Sequence, residues 1–118
     1  MMGITLATFI SWRNAQGRPT PTKDDLRAIS ADEVAQIYFK NYWVASGANG
    51  LAWPLCLLVM DTAVLHGVGA ATSWFGEVGP NPNLFAAKRF RVYTNSDNFN
   101  VFGRGWVNRV ARLLENMN

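Results

Sequence analysis

Asp61 interrupts an otherwise apolar run, PLCLLVMDTAVLHG, and the single histidine, His66, follows five residues later. A carboxyl group among apolar side chains is pushed toward its neutral form, which is the form a general acid needs. The opposing expectation, carried forward here, is that Asp61 bonds a helix end or pairs with an arginine, because a buried charge without a partner is strongly disfavoured. His66 sits where neutral-pH titration would matter, yet one histidine on a helix reads first as a hydrogen-bonded structural residue. The other acids offer less. Glu33 stands three residues after Ser30, the spacing of a capping box. Glu77 lies in a glycine-bracketed stretch, and Asp24 and Asp25 fall in a polar turn that keeps them ionised. Cys56 is the sole cysteine and has apolar neighbours, so it reads as a buried structural thiol rather than a nucleophile. One cysteine, one histidine and scattered acids make no metal set, and no cofactor is expected.

Positive charge gathers at the other end of the chain. Residues 84–118 carry six basic side chains (Lys88, Arg89, Arg91, Arg104, Arg109, Arg112) against two acidic ones, whereas residues 1–83 carry five against six. That field suits an anionic polymer. In FGRGWVNRVARLLENM (Phe102–Met117), helical spacing puts Phe102, Trp106, Val110 and Leu113 on one face, with Arg109 and Arg112 to its side. Arg104, Arg109 and Arg112 are the candidate contacts to such a polymer, although Trp106 reads equally well as core. No nucleic-acid motif accompanies the charge, so nucleic acid is not the expected partner.

The elements that must position these residues are helices. GITLATFISWRNAQG gives a helical face closing at Gly17, and the two prolines of RPTPTKDD break the chain. Thr22 is placed to cap a short turn, and Ser30 to start a helix over 31–43 that buries Val34, Ile37, Tyr38 and Tyr42. ASGANG is a loop. Pro54 then opens a helix to Gly67 that is apolar nearly all round and so belongs in the middle of the fold. A short helix in VGAATSWFGEVG follows, then a turn capped by Asn83, a basic helix over 84–93 and a last helix over 102–117. The expected class is all-α, with at most a stub of strand at the start. At 118 residues, 49% apolar and 16% charged, the chain fits one domain over 1–118. The run Leu51–Met60 is too short to span a bilayer, and MMGITLATFISW lacks the pattern of a signal peptide. The expectation is a soluble protein, delivered to the cell wall or periplasm, if it acts there, by another route.

Four segments in order, GITLATFISW, LRAISADEVAQIYFKNYW, LAWPLCLLVMDTAVLHGVGAA and RFRVYTNSDNFNVFGRGWVNRV, resemble the phage-type N-acetylmuramidases of glycoside hydrolase family 108. Residues 84–118 resemble the end of the predicted peptidoglycan-binding region of that family. The resemblance implies a lysozyme-like helical fold and a link to peptidoglycan, in a phage or bacterial setting. It also implies a catalytic glutamate in a Glu-Gly-Gly segment ahead of the Gly-Ile-Thr motif. Gly3, Ile4 and Thr5 match that motif, but the sequence given starts two residues before it, so no residue here inherits the role of the acid. In the central helix, DTAVLHG carries Leu65 where the family commonly has an asparagine near the cleft, and leucine offers no hydrogen bond to a sugar. The stretch between FGEVG and FAAKRF also looks short.

The expectation is therefore a lysozyme-like domain truncated at the N-terminus, with no catalytic residue of its own and a candidate cleft of Thr5, Asp61 and His66. Its partner would be peptidoglycan or another protein, and a homodimer would cover apolar surface that a missing helix leaves bare. Two other readings stay open. One is an active muramidase whose glutamate segment is omitted or supplied by a partner. The other is a repurposed interaction or inhibitor protein on the same scaffold.

Overall fold

A computed structural model describes residues 3–117, and every regular element among them is helical. The all-α expectation holds. The strand stub does not: no strand occurs among the described residues, and Met1 and Met2 lie outside them. The chain forms two compact units, Met1–Asn41 and Tyr42–Asn118.

In the first unit, each residue of the Gly-Ile-Thr motif has a structural task. Gly3 adopts φ +79°, and a Cβ there would lie 2.5 Å from the Tyr38 hydroxyl, so only glycine fits. Ile4 is buried, and Thr5 caps α1 (Leu6–Ala15) by accepting from the Thr8 amide. Thr22 and Asp25 form a reciprocal capping box at α2 (Lys23–Arg27). Ser30 caps α3 (Ala31–Tyr38) through the Glu33 amide. The expected box at Ser30 is only half made, because the Glu33 side chain turns elsewhere: its carboxylate accepts from Trp12 Nε1 at 3.1 Å, from Arg13 Nε and Nη2 at 3.3 and 3.0 Å, and from Arg18 Nη1 at 3.1 Å. Two guanidinium groups outbid one backbone amide. Around this buttress Phe9, Trp12, Leu26, Ile29, Val34 and Ile37 make the core of the unit.

The helix expected over 31–43 is not α-helical throughout. It ends at Tyr38, and a π-helical segment, Phe39–Val44, follows. A 3-10 turn, Ala48–Gly50, then leads the second unit toward α4 (Leu55–His66). Six residues of α4 are buried, including Leu58, Val59 and Ala63, and it packs on both α5 (Val68–Val78) and α6 (Pro82–Thr94). A central, all-round apolar helix is what its sequence predicts. Cys56 is buried on it, as expected. The cap of α6 is Asn81 rather than Asn83: its Oδ1 accepts from the Leu84 amide, which leaves Pro82 in the first turn, where its missing N–H is harmless.

The last helix, α7 (Phe99–Asn116), starts three residues earlier than the spacing suggests and packs on α6. Val110 is buried with Tyr93 and Ala86, while Trp106 is half-buried against them. Phe102, expected to share that inward face, is 53% exposed. Gly103 is needed where it stands, since a Cβ there would come within 2.5 Å of the Phe99 ring.

Candidate functional site

Three residues singled out in the sequence, Asp61, His66 and Arg109, meet in the second unit. Asp61 projects from α4 with its side chain 13% exposed. Arg89 of α6, fully buried, donates from Nη1 to Asp61 Oδ2 at 2.9 Å. Arg109 of α7 donates from Nε to both carboxylate oxygens at 2.9 and 3.1 Å, and its Nη2 lies 2.7 Å from Oδ1. One carboxylate thus ties α4 to α6 and α7, and its oxygens act as acceptors throughout. The pairing expectation for Asp61 is met, with two arginines instead of one.

Arg89 extends the network inward. Its Nε donates to the Tyr93 hydroxyl at 2.9 Å, and that oxygen lies 2.7 Å from His66 Nε2. The Tyr93 hydroxyl thus bonds both Arg89 and His66, and the tautomer of the imidazole sets which of His66 and Tyr93 donates. Burial, first, and the positive charge of Arg89, second, hold the His66 pKa below its ordinary value, with Asp61 opposing and Arg109 assisting. Burial likewise raises the Tyr93 pKa. The histidine is thus a neutral, hydrogen-bonded member of the scaffold at neutral pH.

A stability consequence follows from that direction. Since folding lowers the His66 pKa, stability is fully present above the unfolded value of about 6.5 and falls as the pH drops toward the folded value. The ring signals of the single histidine should titrate with a midpoint below 6.5 in NMR. His66→Gln, which keeps a hydrogen-bond partner for Tyr93, should flatten the fall in melting temperature between about pH 6.5 and 5. An equal fall in both proteins would assign it to other groups.

Aromatic rings surround this network. His66 lies 5.6 Å from Trp74 and 6.2 Å from Trp106, and Tyr93 stacks on Trp106 at 4.9 Å. Phe102 continues the row outward, 5.7 Å from Trp106. Arg89, Tyr93 and Trp74 were not among the residues expected at the site. The signal for Arg89 was present: Phe85, Arg89 and Tyr93 recur every fourth residue on the buried face of α6, with the charge in the middle.

Thr5, Arg104 and Arg112 have no hydrogen bond to this network among the described residues. Thr5 is an exposed helix cap in the first unit, its hydroxyl engaged with Thr8. Arg104 is exposed and lines a shallow depression of about 450 Å³ along α7 with Phe99, Asn100, Gly103, Val107 and Asn108. Arg112 is exposed, one turn beyond Arg109. Leu65 is half-buried on α4. Among the described residues, no helix is long and apolar enough to cross a membrane.

A solved structure described as that of Brucella abortus SagA is similar to this chain, with 25% sequence identity and a TM-score of 0.79 over 98% of this chain and 77% of that one. None of the curated protein sequences matches it. The family described as Glycosyl hydrolase 108 matches residues 1–67, more than half of the 118. On that match, the chain belongs to the Glycosyl hydrolase 108 family.

Proposed function

We propose that this polypeptide associates with peptidoglycan and does not by itself cleave it. Family membership supplies the link to the wall, and the basic C-terminal third supplies a field of the right sign for an anionic polymer. The observation that carries the second half is the state of the two sheltered carboxylates. Asp61 accepts from Arg89 and Arg109, and Glu33 accepts from Trp12, Arg13 and Arg18. Hydrogen bonding by Arg13, first among the causes, holds the Glu33 pKa below its ordinary value. Glycoside hydrolysis needs a carboxylic acid with a proton to give to the leaving oxygen, poised near the working pH. A carboxylate surrounded by cationic donors is the opposite of that. The other described carboxylates are exposed, without the apolar pocket that such an acid uses.

The test is to incubate the purified chain with bacterial sacculi and to measure both pelleting and new reducing ends. The expected result is a pellet-bound fraction that shrinks as salt rises, with no reducing ends above the blank. Release of reducing ends would show a working acid in this chain and end the second half of the proposal. Absence of pelleting at low salt would end the first.

A further inference from the structure

One flank of α7 exposes apolar and cationic side chains together, with no acid among them. Val101 and Phe102, in the first turn, are 75% and 53% exposed, and Val101 is the most exposed large apolar residue among those described. The core face of the helix is a different one, made by Phe99, Trp106, Val110 and Leu114. Val101, Gly105 and Arg112 stand at i, i+4 and i+11, and Phe102, Gly105, Arg109 and Arg112 at i, i+3, i+7 and i+10. These five therefore lie along one side of α7. Gly105 puts no side chain between the apolar pair and the arginines, and the space where its Cβ would stand is open. Arg104, three residues after Val101, is exposed on the adjoining side.

The positive charge of this flank is not balanced from within. Residues 98–114 contain no acidic side chain. Asp61 is bonded to both Arg89 and Arg109, so two guanidinium groups and one carboxylate keep one positive charge between them. Arg89 is fully buried, whereas the Arg109 side chain is 40% exposed, so the surplus reaches the surface through Arg109.

From this arrangement we infer that the flank docks the protein on a membrane surface of anionic phospholipid. Val101 and Phe102 enter the boundary between headgroups and acyl chains, and Arg109, Arg112 and Arg104 meet lipid phosphates. Charge complementarity selects this occupant. Two copies of the flank would bring arginine against arginine. A hydrated acidic polymer would satisfy the arginines but would offer the apolar pair no water-free phase. An anionic bilayer offers both, and it yields to protruding side chains, so no matching pocket is required. Because only two apolar side chains enter, the contact is peripheral and reversible, and salt weakens it. Wall association is not needed for it.

The test is co-sedimentation of the full chain with vesicles of phosphatidylcholine alone and of phosphatidylcholine mixed with phosphatidylglycerol. The wild type should bind the mixture, leave the neutral vesicles in suspension without it, and come off the mixture as salt rises. Arg112→Gln should weaken binding about fivefold, the share of one cation at such a surface. Phe102→Ser should weaken it about tenfold by removing an inserted ring. Val101→Asp should weaken it by more than about tenfold while melting no lower than the wild type, because an acid in the first turn of α7 meets the positive end of the helix. Loss of binding with undiminished melting separates docking from folding. Equal binding to neutral vesicles removes the role given to the arginines. Equal binding by the wild type, Phe102→Ser and Val101→Asp places the membrane contact elsewhere. No binding by the wild type, with self-association at rising concentration, means that a second copy covers the flank, and without it that lipid is not the occupant. Each of these overturns the inference. Lipid-free sacculi are pelleted in parallel, and Phe102→Ser should pellet with them as the wild type does, so loss of wall association and loss of membrane docking are read separately.

Discussion

Asp61→Ala should lower the stability of the protein by about 3–5 kcal/mol, the usual loss when one member of a buried ion pair is removed. At roughly 4 °C per kcal/mol for a chain of this size, the melting temperature falls by about 10–20 °C. The size comes from what is left behind. Arg89 is fully buried, its Nη2 already has no hydrogen-bond partner among the described residues, and without Asp61 its only remaining bond is to Tyr93. Arg109 contributes far less to this loss, since it is 40% exposed and water takes over when its partner goes. Arg109→Ala should therefore cost only about 1 kcal/mol or less. The double variant Asp61→Ala/Arg89→Met is the discriminating measurement. Methionine fills similar space without a charge, so much of the lost stability should return. If the double variant melts no higher than Asp61→Ala alone, an orphaned cation is not the cause.

Glu33→Ala is expected to have the next largest effect, about 1–2 kcal/mol. It strands the indole N–H of Trp12, a core residue, and leaves Arg13 and Arg18 facing each other without a counter-charge. The loss is smaller than at Asp61 because Arg18 is nearly half exposed and water screens it. The pH dependence has a definite sign. Folding lowers the Glu33 pKa, with the Arg13 hydrogen bond as the main cause, so its stabilisation is complete above the unfolded value near 4.5 and disappears as the pH falls through the folded value. Glu33→Gln keeps an acceptor for Trp12 but cannot titrate. Its acid unfolding should be shallower than that of the wild type below about pH 4.5, measured by circular dichroism. Curves of the same steepness would place the acid sensitivity in other carboxylates.

Both predictions concern acids that the sequence marks in different ways. Asp61 is conspicuous because it is one charge in an apolar helix, and burial arithmetic alone demands a cation for it. Which cation is not written there, since Arg89 and Arg109 lie 28 and 48 residues away. Glu33 is harder. Its position after Ser30 fits a capping box, and the local rule fails because three donors from other parts of the chain win the same carboxylate. Helix starts were legible where one capping side chain stands directly before the apolar run, as at Thr22 and Ser30. At α6 the proline-asparagine alternation left two asparagines in competition, and the choice between Asn81 and Asn83 depends on which one precedes the proline of the first turn. The π-helical segment Phe39–Val44 leaves no mark in periodicity, because one wide turn shifts the apolar stripe by less than the scatter within it. The outward turn of Phe102 also escapes helical spacing, which counts faces but not how far a neighbouring helix reaches.

The lone thiol on α4 gives the molecule a built-in clock. Cys56 is shut inside the second unit, so an alkylating reagent reaches it only during the moments when that helix lifts from its neighbours. The rate of labelling under native conditions then reads out the free energy of opening around α4, without a probe having to be added.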